Sequence, residues 1–229
     1  MTDRFTAFDP SLFRFLAELE SNNDREWFQE NRERYETQVR EPARAFIRHM
    51  AGPLAKLSKR VVASDKKVGG SLMRVHRDLR FSPEADPYKT NVGIQFRHTA
   101  GKDVHAPGLY VHIALDRCFL GAGLWRPERE SLAGIRKAIA ERPNVWTKLW
   151  KGRDLAGWQL GGESLKRPPR GFDPEHPLIE ELKRKDFIAI YELDHDRVLS
   201  PRFARFVAER FGKVTPMMRF LSKAVGLDF

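Results

Sequence analysis

One cysteine, Cys118, among 229 residues leaves no disulfide within the chain and fits a reducing compartment. No stretch approaches the ~20 apolar residues of a membrane span. The opening, MTDRFTAFDPSLF, has neither the basic-then-apolar pattern nor the small-residue cleavage site of a secretory signal. A cytoplasmic protein without a membrane partner is the expectation. Also missing are HExxH, a Walker loop and GxSxG, so none of the common short catalytic signatures applies. Internal repeats, low-complexity tracts and tails of like charge are absent as well, which argues against a disordered nucleic-acid arm.

What is present is apolar enough for a proper core. Hydrophobic residues make up 41% and aromatics 11%, with 16 Phe and 5 Trp, which excludes disorder. Lys and Arg number 41 against 31 Asp and Glu, a net charge of +10. Such a surplus attracts nucleic acid, phosphorylated metabolites or acidic surfaces, and equally serves solubility.

Asp9-Pro10 starts a helix whose Leu12, Phe15, Leu16 and Leu19 form one apolar stripe. Asn23 with Glu26 resembles a capping box opening a long second helix. Its apolar face runs from Phe28 through Tyr35, Val39, Phe46, Met50, Leu54 and Leu57 to Val61, with kinks expected at Pro42 and Gly52-Pro53. Trp27, Arg25 and Arg34 are candidates to line a site on it. From Val68 the period changes to two, predicting strands over Val68–His76, Asn91–His98, Leu109–Leu115 and Cys118–Trp125. In LYVHIAL, Leu109, Val111, Ile113 and Leu115 share one face and Tyr110 and His112 the other. A helix after Pro127, a short aromatic helix around Trp146 and Trp150, and a loop-rich stretch follow. The chain closes with a strand over Phe187–Leu193 and two helices, Pro201–Phe211 and Thr215–Val225. The prediction is a single α+β domain, a mainly antiparallel sheet flanked by helices from both ends of the chain. Its helical part covers about 9–61 and its sheet-rich middle about 68–125, with helices and a basic loop beyond.

HRDL at His76–Leu79 matches a kinase catalytic tetrapeptide, but Pro83 stands where the metal-holding asparagine belongs and the other kinase elements are missing. His76-x-Asp78 also has the spacing of an iron site, with His112 or His176 as the distal ligand. That spacing is common by chance, and no metal is assigned. Cys118, among aliphatics and aromatics, reads as a small buried hydrophobe.

The densest polar stretch is RVHRDLRFSPEADPYKTN, Arg74 to Asn91. On a strand Arg74, His76 and Asp78 share a face, with Arg77 and Leu79 on the other, so convergence of Arg74, Arg77 and Arg80 requires a turn near Asp78. Pro87 favours a turn that brings back Tyr88, Lys89 and Asn91. Converged, these groups would form a bidentate receptor for phosphate or carboxylate, with Asp78 orienting an arginine. Lys166, Arg167 and Arg170 are candidates for an opposite wall, His112 for an added ligand-binding group, and Trp125 and Trp158 for stacking surfaces.

RVHRDLRFS, PYKTN, GLYVHIA, GAGLWRPE and LKRPPRGFDPEHP in this order, with NNDREWF before them, resemble the bacterial family catalogued as domain of unknown function 2461. The resemblance covers the chain from about Phe5 onward and implies a soluble bacterial domain with no catalytic residues to carry over. The chain departs from the family pattern at Pro83-Glu84-Ala85-Asp86, where a lysine-rich linker is usual.

Three readings follow. The first is binding of a phosphate-bearing or other anionic small molecule through an arginine-rich cleft. The second is nucleic-acid binding. The third is an interaction module in which the arginines are an internal clamp. His76, Asp78, Glu84, Asp86 and His112 include acids and bases, but spacing alone designates no nucleophile, reaction or cofactor.

Overall fold

The computed structural model describes residues 5–78, 80, 85–101 and 106–229. Helices α1 (Ser11–Ser21), α2 (Arg25–Glu30) and α3 (Arg32–Arg34) lead through a π-helical turn, Tyr35–Arg40, into α4 (Glu41–Leu57). Then come β1 (Val61–Val62), β2 (Asn91–His98), β3 (Gly108–Ala114) and β4 (Cys118–Leu124), followed by α5 (Arg129–Glu141) and α6 (Pro143–Lys151). The remainder is β5 (Trp158–Gly161), α7 (Ile179–Leu182), β6 (Phe187–Leu193), α8 (His195–Leu199) and α9 (Phe203–Ala224). The strands form one antiparallel sheet in the order β1-β2-β3-β4-β6-β5, and with the helices give the expected α+β architecture. Among the described residues no helix is long and apolar enough to cross a membrane.

Alternation decides which face of the sheet is covered. Val92, Ile94 and Phe96 of β2 stand opposite Ile113, Val111 and Leu109 of β3, and all six are buried. Leu120, Ala122 and Leu124 of β4 continue that layer toward Ala189 and Phe187 of β6. Helices α4 and α9 pack over it. There Phe46 stacks on Phe203 with ring centroids 5.4 Å apart, and Phe96 meets Phe211 edge-on. Each fully buried Phe contributes about 1.5–3 kcal/mol through lost water contact. Tyr110 and His112 lie on the other face, partly buried.

Several elements differ from their predicted form. Asp24, not Asn23, caps α2, its carboxylate accepting from Trp27 N at 2.9 Å. The long second helix is broken after Glu30 and widened into the π turn, and Val61 belongs to β1. Pro53, by contrast, sits inside a continuous α4. Val68–His76 is not a regular strand. It has only single bridges at Leu72–Ile94 and His76–Tyr88, because the chain first turns at Gly69 and Gly70. At Gly70 a Cβ would stand 2.2 Å from Lys66 O, so only glycine allows that closure. The two C-terminal helices are one, α9, with Pro216 inside it. Burial of Val207, Phe211, Val214, Met217, Met218 and Leu221 along its whole length outweighs the lost hydrogen bond. Strand β5 forms within the stretch expected to be loop-rich, where buried Trp158 pins it against Tyr191. Leu79, Pro83 and Glu84 lie outside the described residues.

Gly123 combines a φ of +126° with a Cβ position 2.0 Å from Phe187 O. Gly123→Ala is expected to destabilise the fold by about 3 kcal/mol or more, measured as a shift of the urea unfolding midpoint.

Candidate functional site

The segment Ser64–Tyr88 is held at the open edge of β2 by its backbone. Gln95 N donates to Ser71 O at 2.8 Å, and Met73 N to Gly93 O at 2.9 Å. Farther on the segment folds on itself, Arg77 N donating to Pro87 O and Lys89 N to Val75 O. Tyr88 anchors this turn. It is buried, and its ring stacks on Phe28 at 4.0 Å. The Asn23 carboxamide takes both groups of its amide, accepting from Tyr88 N and donating to Tyr88 O, each at 3.0 Å. Arg77 Nε donates to the same carbonyl at 2.9 Å.

The three arginines of the predicted receptor therefore do not converge on one point. Arg77 is turned onto a backbone carbonyl. Arg80 grips Asp78 through two side-chain bonds of 2.9 and 2.6 Å, and Arg74 stands 3.7 Å from the same carboxylate. These contacts, the Arg80 hydrogen bonds above all, hold the Asp78 carboxyl well below its usual range. Lys89 and Asn91 face a small apolar crevice with Leu16, Leu19 and Val92, and Lys89 makes no ion pair among the described residues. Burial, then Arg74 and Arg77, push its ammonium down from its ordinary value.

Three predicted members lie elsewhere. Lys166 and Arg170 are exposed in the loop after β5. Strands β3, β4 and β6 stand between β2 and β5, a separation of roughly 20 Å at ~4.8 Å per strand, and neither residue is among those lining the cleft beside Arg74. His112 lies on the face opposite the helices, its Nδ1 3.1 Å from the Tyr110 hydroxyl and its ring stacked on Phe119. Trp125 is exposed beneath Arg126, and Trp158 is buried. Arg34 is taken by a fork on Glu18, with bonds of 2.7 and 2.9 Å. The Cys118 thiol is buried, and burial pushes it up. Among the described residues no group of three His, Cys, Asp or Glu is arranged around a common point for a metal ion.

What the Arg74 segment does build is one wall of a cleft of about 400 Å³ facing the π turn. Among the described residues its lining carries Arg32, Arg40, Arg44, Lys66, Lys67 and Arg74 against a single carboxylate, Glu36, over a floor that includes Phe28, Tyr35 and Leu72. His76 also lines it. The helical cations step by four residues, with Glu36 among them. In an α-helix such steps overshoot the 3.6-residue turn and drift around the axis. The wider π turn takes up the overshoot, and π turns recur at functional sites.

An acid–base lattice fixes the far wall. Arg48 bridges Glu41 at 2.7 Å and Asp65 at 3.1 Å, while Arg44 Nε donates to Asp65 O at 3.0 Å. Asp65 begins the tight Ser64–Ser71 loop, closed by Ser71 N on Ser64 O and Ser64 N on Ser71 Oγ. Lys66 and Lys67 are thereby presented exposed, without ion pairs among the described residues. Arg32 is likewise without one, whereas Arg40 is bound to Glu36 at 2.6 Å. Burial pushes the Tyr35 phenol up to about 12, so the floor stays neutral.

Sequence reasoning reached only Arg74 of these six cations. The usable signals were the four-residue spacing of Arg32, Glu36, Arg40 and Arg44, and Lys66-Lys67 beside Gly69-Gly70.

These features define an α+β protein whose helices cover one face of an antiparallel sheet, with a basic cleft at the β2 edge. The chain belongs to the family of conserved hypothetical proteins designated DUF2461, whose model matches residues 11–220. No curated protein and no solved structure matches the chain. The matched span includes the cleft and every strand.

Asn23→Ala strips two hydrogen bonds from the Tyr88 amide and is expected to cost about 1–3 kcal/mol in urea unfolding. Arg80→Ala, which breaks an exposed pair, is expected to leave the midpoint nearly unchanged. Burial is the main influence on His112 and lowers its imidazole, Asp116 opposing and Arg117 assisting. The unfolded ring then binds its proton more readily than the folded one. Stability should fall as pH drops below the ordinary imidazole value, levelling off once the folded ring is protonated. Between unfolding set points of about pH 7.5 and about pH 5, His112→Phe should lose less stability than the parent protein.

Proposed function

We propose that this protein binds a phosphate-bearing small molecule in the cleft between the π turn and the Ser64–Ser71 loop. The observation that carries the reading is the imbalance of charge in a confined space, six cationic side chains against one carboxylate among the described residues that line about 400 Å³. That volume lies within the range of small-molecule sites, roughly 300–1,000 Å³. Three of the cations, Arg32, Lys66 and Lys67, have no ion pair among the described residues, so their charge is available to a guest. Arginine forks and lysine point charges together suit phosphate oxygens. Arg40 is the adaptable member, since an entering anion competes with Glu36 for its guanidinium.

This reading relocates the anion receptor expected at Arg74–Asn91. Arg74 stays in it, and Arg77 and Tyr88 support it from behind as a clamp. No reaction is assigned. His76 and Glu36 line the cleft, but among the described residues no nucleophile is oriented by a partner base.

Titration calorimetry and thermal shift with a panel of nucleotides and sugar phosphates test the reading. At least one should bind and stabilise the native protein. Lys66→Ala and Lys67→Ala, exposed and unpaired, should fold normally and each weaken binding about tenfold through a lost charge-assisted contact. Absence of binding across the panel removes the reading. Oligonucleotides titrated at two salt concentrations separate it from nucleic-acid binding, whose affinity falls steeply with salt.

A further inference from the structure

The cleft is not lined by charge alone. Val68 is 86% exposed and Met73 39% exposed, and both line it beside Lys66, Lys67 and Arg74. Isolated exposed hydrophobics are ordinary. Here, however, two of the five exposed large hydrophobic side chains among the described residues border one cation-lined space. Val68 is also held where it is. It follows two lysines on a loop closed by the Ser64–Ser71 bonds, turned by Gly69 at a φ of +69°, and tethered through Asp65 to Arg44 and Arg48. Between loop and helix the floor is aromatic and aliphatic, with Phe28 and Leu72.

We infer that the ligand of this cleft is an organic phosphate with a planar or apolar portion, and that Val68 and Met73 receive that portion while Lys66, Lys67 and Arg74 hold the phosphate. The inference rests on the anion-binding reading above and adds the class of guest. A bare inorganic anion would leave Val68 in water and would itself have to be desolvated against an apolar floor, at a cost. A guest with an apolar portion removes that exposed surface from water, and its phosphate stays among the cations. Nucleotides and lipid phosphates both have this chemistry.

Three ligands distinguish the cases by calorimetry on the full chain: inorganic tripolyphosphate, adenosine triphosphate, and a short-chain phosphatidic acid below its micelle concentration. At least one organic phosphate should bind roughly tenfold more tightly than tripolyphosphate. Whichever it is, adenosine triphosphate or the phosphatidic acid, identifies the source of the apolar portion. Val68→Ser, at an exposed loop tip, should fold normally. It should weaken the organic phosphate by about three- to tenfold and leave tripolyphosphate unchanged. Tripolyphosphate binding as tightly as both organic ligands overturns this inference and leaves the anion reading standing. An equal loss for all ligands in Val68→Ser also overturns it, since Val68 would then act through the lysines. Binding of none overturns both.

Discussion

The open edge of β2 governs the arrangement of the cleft. A strand edge presents backbone groups that need partners, and β1 covers only Arg97 and His98. The chain meets the rest of the demand by running Ser71–Met73 alongside Gly93–Gln95. To do so it must first leave β1, and the excess length is taken up by the tight Ser64–Ser71 loop. That loop stands off from the sheet toward the helices, and the gap between it and the π turn is the cleft. The Tyr88 anchor then fixes the return of the chain into β2.

Some arginines of the protein hold the fold, whereas other cations face the cleft. Arg34 on Glu18, Arg48 on Glu41 and Asp65, and Arg77 on Tyr88 O are tied to internal partners. Lys66, Lys67 and Arg32 have no such partner among the described residues, and they surround one space. The same chemistry thus serves two ends, and partner geometry separates them. A fork already satisfied by a carboxylate has little left for a guest, whereas an exposed lysine keeps its charge.

The central strands and the first helix were legible because their periodicity is strong. Asn91–His98 and Phe187–Leu193 have the predicted bounds, and the alternation in LYVHIAL correctly sorted Leu109, Val111 and Ile113 from Tyr110 and His112. Local rules failed where a distant contact outweighs them. Asn23 looks like a cap, but its carboxamide is occupied by Tyr88, 65 residues away. Pro216 looks like a helix break, but a fully buried face carries α9 through it. Three arginines in seven residues look like one receptor, but Arg77 is turned onto a carbonyl and Arg80 onto Asp78.

The sequence by itself determined the α+β class, the covered face of the sheet, the absence of disulfides and the surplus of positive charge. Each of these follows from composition or from a period of two or 3.6 residues, which neighbouring positions express without help. Only the tertiary structure decided that Arg32, Arg40, Lys66 and Lys67 share a cleft with Arg74, and that Lys166 and Arg170 stand at the far edge. Those proximities depend on strand order and on which backbone groups a free edge must satisfy, and neither leaves a local trace in the chain.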